Sequence, residues 1–152
     1  MQPSPSFLRF VATGDSLAPV FLRLALGLMM FAHGAQKLLG WFGGYGFSGT
    51  MAFFTGTVGA PWLVGLLVIL GEFFGGLLLL AGAGTRFVAA SHAVILAGAA
   101  WHLRANGFFM NWFGNQKGEG FEFFLLALSL ALALAVLGGG KWSVDARLAA
   151  RG

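Results

Sequence analysis

The chain contains no cysteine. This excludes disulfides, thiolate metal sites and thiol redox chemistry by the polypeptide itself, and leaves its compartment open. Charge is the second scarcity: 9% of the 152 residues are Asp, Glu, Lys or Arg and 58% are hydrophobic, whereas soluble proteins carry about 25% charged residues. Lipid must therefore be most of the solvent of this chain. The third absence is a signal-peptide core. The first sixteen residues hold Pro3, Pro5, Arg9 and Asp15, and the apolar patch from Phe7 to Ala12 is interrupted by Arg9, which makes it too short for one. No small-residue cleavage site follows the first long apolar run, so that run is expected to remain as a spanning helix. Nucleic acid is not expected as a partner either. The net charge is +4 and the pI about 10.4, but the nine Lys and Arg are scattered rather than gathered in a stripe.

What the chain has instead is glycine, 25 in all, and long apolar runs. Small residues let helices approach closely inside membranes. A hydrocarbon core of about 30 Å is crossed by about 20 apolar residues in a helix. Four runs approach that length: Leu17 to Leu39, Pro61 to Ala83, Phe87 to Leu103 and Phe121 to Leu137. The fold expected is all-α, a single integral membrane domain over residues 1–152 built as a four-transmembrane-helix bundle. Gly82, Gly84 and Thr85 form a tight turn that makes the second and third spans an antiparallel pair. The two longer connections, Trp41 to Ala60 and Arg104 to Gly120, are rich in aromatic residues, which favour the membrane interface. A short half-buried helix is expected over Gly49 to Thr57. Arg9, Arg86, Lys141, Arg147 and Arg151 fall on one side, and Arg104 and Lys117, with Lys37 at the end of the first span, on the other. The positive-inside rule then puts both termini in the cytoplasm.

Ionisable residues inside spans cost several kcal/mol each on insertion scales, so each is a candidate functional residue. At a rise of about 1.5 Å per residue, Arg23 and His92 lie in the cytoplasmic half, Glu72 near the midplane, and His33, Lys37, His102 and Glu122 in the outer half. Arg23, His33 and Lys37 share one face of the first span, within about 80° of one another. His92 and His102 share a face of the third, and Glu119 and Glu122 a face at the start of the fourth. The assembly expected is a polar core open toward the outer side. Glu72 is its deepest acid, His33, His102 and Glu122 surround its mouth, and Lys37 pairs with Glu119 or Glu122. Arg23 either snorkels to the interface or pairs with Glu72. His92 is read as a hydrogen-bonded core histidine, and Glu72 itself as either a satisfied interhelical partner or a functional acid.

Three chemistries suit His33 and His102. Zinc would take both with Glu122 or Glu72, but no His-x-x-x-His spacing is present. Haem would need two histidines on different helices. A quinone or another lipophilic small molecule fits best, its carbonyls accepting from His, Lys or Arg while Glu72 relays protons. The cofactor expectation is thus a quinone, with neither zinc nor haem favoured.

At these residues the sequence resembles the DoxX family of small four-helix bacterial membrane proteins. The matching pieces run from Arg23 through His33-Gly34-x-x-Lys37, Glu72-x-x-Gly75-Gly76 and Gly84-Thr85-Arg86. They continue through His102 with Asn106-Gly107-Phe108, Gly120-x-Glu122, Gly138-x-Gly140 and Ser143-Val144-Asp145. The resemblance implies the bacterial inner membrane and a subunit role. The family is named from a subunit associated with a thiosulfate-to-quinone oxidoreductase, and some relatives are linked to oxidoreductase complexes in oxidative-stress defence. The leading expectation is a membrane subunit of a quinone-linked oxidoreductase system, supplying anchoring and a pocket while a membrane or peripheral partner holds the redox centre. A small-molecule carrier and a structural assembly partner are the alternatives, and assembly with further copies of the chain is left open.

Overall fold

The computed structural model describes residues 11–150. Arg9, Arg151 and most of the Phe7 to Ala12 patch, which entered the topology argument, lie outside the described residues. The secondary structure of the described residues is helical, with no strand among them. Four long helices follow the four apolar runs: α1 (Ala18–Leu39), α3 (Trp62–Ala81), α4 (Thr85–Leu103) and α5 (Phe121–Leu137). Between the first two lies a short α2 (Gly46–Ala52), extended through Phe53–Thr57 by a wider turn with i→i+5 bonding. A last short helix, α6 (Val144–Ala149), follows α5.

The boundaries have local causes. Pro19 lies in the first turn of α1, where its missing N–H costs nothing. Gly82 and Gly84 close the α3–α4 turn at φ of +68° and +59°, a region that other residues occupy only under strain. α1 and α3 can cross a membrane by length and apolar composition. α5, with 17 residues, is slightly short, and α4 carries Arg86, His92 and His102 within its length.

α1 packs most extensively on α3 and α4 on α5, while the α3–α4 and α1–α5 contacts are sparser. The α1–α3 crossing rests on glycine. A Cβ on Gly34 would overlap the backbone of Phe73, and one on Gly76 would meet the backbone of Phe31, so the two main chains touch where their side chains vanish. Gly34→Ala must push the helices apart and is expected to lower stability by about 2 kcal/mol, the usual scale of overpacking. Unfolding of the detergent-solubilised protein, followed by tryptophan fluorescence, measures it.

Leu26, Met30, Leu79, Leu96, Ala131 and Leu134 form the buried core with their neighbours. The outer surface of the long helices is equally apolar: Phe21, Leu28, Leu67, Phe87 and Val136 are all more than half exposed. No water-facing protein presents such a surface around its whole waist. The hydroxyls of Ser91 and Ser129 donate to the carbonyls of Phe87 and Leu125 one turn back, which satisfies both donors within their own helices.

One end of the molecule is locked by polar groups, a pattern that Arg23 and the two Gly- and Ser-containing C-terminal pieces share. The Asp145 carboxylate, at the start of α6, accepts from the backbone N–H of Gly84 (2.7 Å) and Thr85 (2.8 Å) and thereby caps α4. Buried Arg23 neither snorkels nor reaches Glu72. Its guanidinium donates to the carbonyls of Gly139 (3.1 Å), Leu79 (3.5 Å), Trp142 (3.4 Å) and Leu80, where α3 ends and its last carbonyls have no helical partner. Arg86 does the same for α5, donating to Ala135 (3.0 Å) and Val136. This clamp end holds the segment around Thr13, the α3–α4 turn and α6 together. The opposite, loop end carries α2 and the 107–120 connection.

Candidate functional site

A cavity of about 580 Å³ lies in the half of the molecule nearer the loop end. Its wall is apolar, from Met29 and Met30 on α1, Val68 on α3, Ile95 and Ala99 on α4, and Phe123 on α5. Five ionisable side chains also reach it: His33, Lys37, Glu72, His102 and Glu119.

The deepest polar group is an ion pair. The Lys37 ammonium donates to the Glu72 carboxylate at 2.5 Å, joining α1 to α3 across the crossing that Gly34 permits. Lys37 thus meets Glu72 instead of Glu119 or Glu122. The reason is geometric: Gly34 brings the last turns of α1 against α3 at Glu72 and Phe73. Glu72 retains 7% of its side-chain exposure and Lys37 26%, so the carboxylate is the desolvated partner and the ammonium the one that reaches outward. Lys37 also lines a smaller hollow of about 280 Å³, with Gln36, Tyr45 and Thr50. Phe53 and Phe54 line both spaces and form the partition between them.

His33 sits one turn before Lys37 and, though in mid-helix, is exposed, the surface it presents belonging to the cavity it lines. His102, at the last turn of α4, meets the edge of the Phe53 ring, centroids 6.4 Å apart. The two histidines and the ion pair therefore line one space.

Of the remaining candidates, Glu119 alone reaches it. Glu122 is not among the cavity residues; its carboxylate accepts from the N–H of Met110 at 3.1 Å. Glu119 lines the cavity and also accepts from the N–H of Asn111 at 3.0 Å. Both acids thus brace the 107–120 connection, which closes on the start of α5 through Phe121 N–H to Gly107 and Glu122 N–H to Phe108. Sequence alone gave these acids a helix face but not the loop that folds back over it. His92 is fully buried between α4 and α3. Its Nε2 lies 3.1 Å from the carbonyl of Gly71, which fixes that nitrogen as the donor. Gly75 supplies the space, since a Cβ there would lie 2.8 Å from the imidazole. Nδ1 has no partner. Among the described residues no three side chains of metal-ligating type converge.

The residue that the site argument missed is Asp145. Its signal was present, an acid two residues after a serine that caps a helix start, but its partners lie sixty residues away.

The DoxX family model matches residues 18–105, more than half of the chain. The chain belongs to the DoxX family. The match takes in α1, α3 and α4 with His33, Lys37, Glu72 and His102, and ends before the Gly120-x-Glu122, Gly138-x-Gly140 and Ser143-Val144-Asp145 pieces. The chain is also 32% identical over 118 residues to the "Putative oxidoreductase CatD" of Bacillus subtilis (strain 168), covering 78% of each. No solved structure matches the chain. Family membership and the apolar waist together make this DoxX protein a membrane protein.

Proposed function

We propose that α1, α3, α4 and α5 cross the bacterial inner membrane as a four-helix bundle with both termini cytoplasmic, and that the bundle is the membrane subunit of a quinone-linked oxidoreductase system. The clamp end, with Arg86, Lys141 and Arg147, then faces the cytoplasm and the aromatic loop end faces outward. The designation of CatD as an oxidoreductase supports the reaction class. The observation that carries the reading is the cavity itself: an apolar wall with convergent polar groups, which is the composition of a site for a lipophilic ligand with a polar head.

In this reading a quinone headgroup lies over the Lys37–Glu72 pair. Its carbonyls accept from Lys37 and from His33 or His102. Reduction to the quinol adds two electrons and two protons. The chain lacks thiols, so the electrons come from the redox centre of a partner oxidoreductase, and the protons pass through Glu72 and the histidines. Lys37, lining both the cavity and the smaller hollow toward the loop end, lies on the route by which those protons exchange with outside water. The pair is held ready for this. Within the pair the Lys37 ammonium is the donor and the Glu72 carboxylate the acceptor, so a proton that Lys37 gives to the quinone is replaced by way of Glu72.

Titration of decylubiquinone into the purified protein in lipid nanodiscs tests the reading. Saturable one-to-one binding is expected, weakened about tenfold in His33→Ala, the effect of about 1.4 kcal/mol for a lost charge-assisted or buried hydrogen bond. No saturable binding by the folded protein, or equal affinity in wild type, His33→Ala and His102→Ala, would overturn it.

A carrier function is the second reading, favoured by one observation: the two hollows adjoin across the Phe53–Phe54 partition and share Lys37. Flux of a lipophilic probe in proteoliposomes that is equal in wild type and Glu72→Gln would count against it.

A further inference from the structure

The cavity has a side as well as an end. α3 and α4 are held together near their connecting turn. The position of a Cβ on Gly75 meets His92 and Val88, and that on Gly71 meets the tip of Ile95. From the level of Gly71 and Ile95 toward the loop end, the cavity is lined by Val64 and Val68 on α3 and, on α4, by Gly98 and by Val94, which sits just on the turn side of Ile95. Three of these four also belong to the outer, lipid-facing surface: Val94 is 74% exposed, Val64 46%, and Gly98 exposed. A residue that lines a cavity and is exposed on the molecule's flank marks the rim of an opening. The loop end carries Phe53, Phe54 and Val58, with the Phe53 ring against His102; Phe53, His102 and Glu119 are exposed there too, so that end differs from the flank in having a polar rim.

The geometry points to a lateral portal between α3 and α4, with Val64, Val68, Val94 and Gly98 as its rim, through which the ligand enters from the hydrocarbon of the bilayer. This deepens the quinone reading and rests on it for the ligand's role. It adds that the ligand class is a membrane-dissolved molecule with an apolar tail, whose head reaches Glu72 while the tail remains in the portal. Nothing polar lines that rim, so a tail there keeps its lipid-like surroundings and only the head is transferred to the site. A water-soluble ligand would have to enter past Phe53 and Phe54 instead.

Gly98 gives the test. A Cβ at this position meets nothing within 4 Å, and any side chain is a better helix former than glycine except proline, so Gly98→Trp fills the rim without disturbing the packing. Val64→Trp does the same from the facing helix. In nanodiscs preloaded with decylubiquinone, both variants are expected to slow association by at least tenfold, because the Trp side chain stands where the head must pass. Rates equal to wild type in both variants would overturn the portal. A second measurement needs no ligand. The absence of cysteine allows a single Ala99→Cys inside the cavity to carry a nitroxide. The label is expected to be relaxed more strongly by oxygen, which concentrates in hydrocarbon, than by a water-soluble nickel chelate, with the oxygen effect reduced by Gly98→Trp. Dominant relaxation by the chelate would contradict a lateral opening. If wild type binds no quinone but the nitroxide reports oxygen access, the portal stands and the quinone reading fails.

Discussion

Lys37→Met is expected to lower the stability of the protein by about 3 kcal/mol. The figure is the low end of the cost of breaking a buried ion pair, because Lys37 retains about a quarter of its side-chain exposure whereas Glu72 is almost wholly enclosed. The cost does not come mainly from lost attraction. It comes from leaving the carboxylate of Glu72 alone in an apolar wall, where its charge has neither water nor partner. Two consequences distinguish this cause from a simple packing loss. Glu72→Gln, which leaves the more accessible ammonium behind, is expected to cost less than Lys37→Met. The double variant Lys37→Met/Glu72→Gln is expected to regain most of the loss, giving a coupling of about 2 kcal/mol in a double-mutant cycle. Unfolding in mixed micelles, followed by tryptophan fluorescence, gives all four values.

Asp145→Ala is expected to cost about as much, roughly 3 kcal/mol, from a wholly different place. One carboxylate satisfies two N–H groups at the start of α4, where no helical carbonyl is available to them. Charge-assisted bonds of this kind contribute about 1.5–3 kcal/mol each, and the orphaned N–H of Thr85 is buried. Asn is a good helix cap in general, yet it can offer only one oxygen here and carries no charge to favour the helix N-terminus. Asp145→Asn is therefore expected to recover less than half of the loss. Because α6 is joined to α4 through this residue, hydrogen exchange at Gly84 and Thr85 should accelerate in both variants while that of Glu72 does not. Neither variant is expected to alter quinone affinity in protein that remains folded, since the clamp end lies away from the cavity.

The two cases show why some parts of the molecule could be read from the chain and others not. Helix positions were legible because each long helix follows an apolar run: the α1 and α5 runs match their helices to within a residue. The start of α4 falls at Thr85 rather than Phe87 because Asp145, in a distant segment, caps it. No local pattern contains that information. The same is true of Arg23. Its partners are carbonyls, which every residue possesses, so a search for oppositely charged side chains leads to Glu72 instead. Helix periodicity correctly gathers His33 and Lys37 on one face of α1, but the acid that Lys37 meets depends on how α1 crosses α3. That crossing is fixed by the vanishing side chains of Gly34 and Gly76. For Glu119 and Glu122 the missing element was the loop itself, whose backbone N–H groups at Met110 and Asn111 claim both carboxylates.

Several of the family pieces thereby acquire physical roles. Gly34, Gly75 and Gly76 make room, for the α1–α3 crossing and for His92. Gly84-Thr85-Arg86 and Ser143-Val144-Asp145 meet each other in the clamp. Asn106-Gly107-Phe108 and Gly120-x-Glu122 close the loop end. What remains outside these duties is His33, Lys37, Glu72 and His102, four of the five ionisable residues that line the cavity.

Photolabelling with an azido-quinone tests the assignment of that cavity most directly. After irradiation of the protein in native-like lipid and mapping of the modified peptides, label is expected on α1 between Met29 and Lys37 and on α4 between Val94 and Leu103, and to be lost on competition with decylubiquinone. Label confined to the aromatic loops, or spread evenly over the lipid-facing surface and indifferent to competitor, would contradict a quinone site in the bundle.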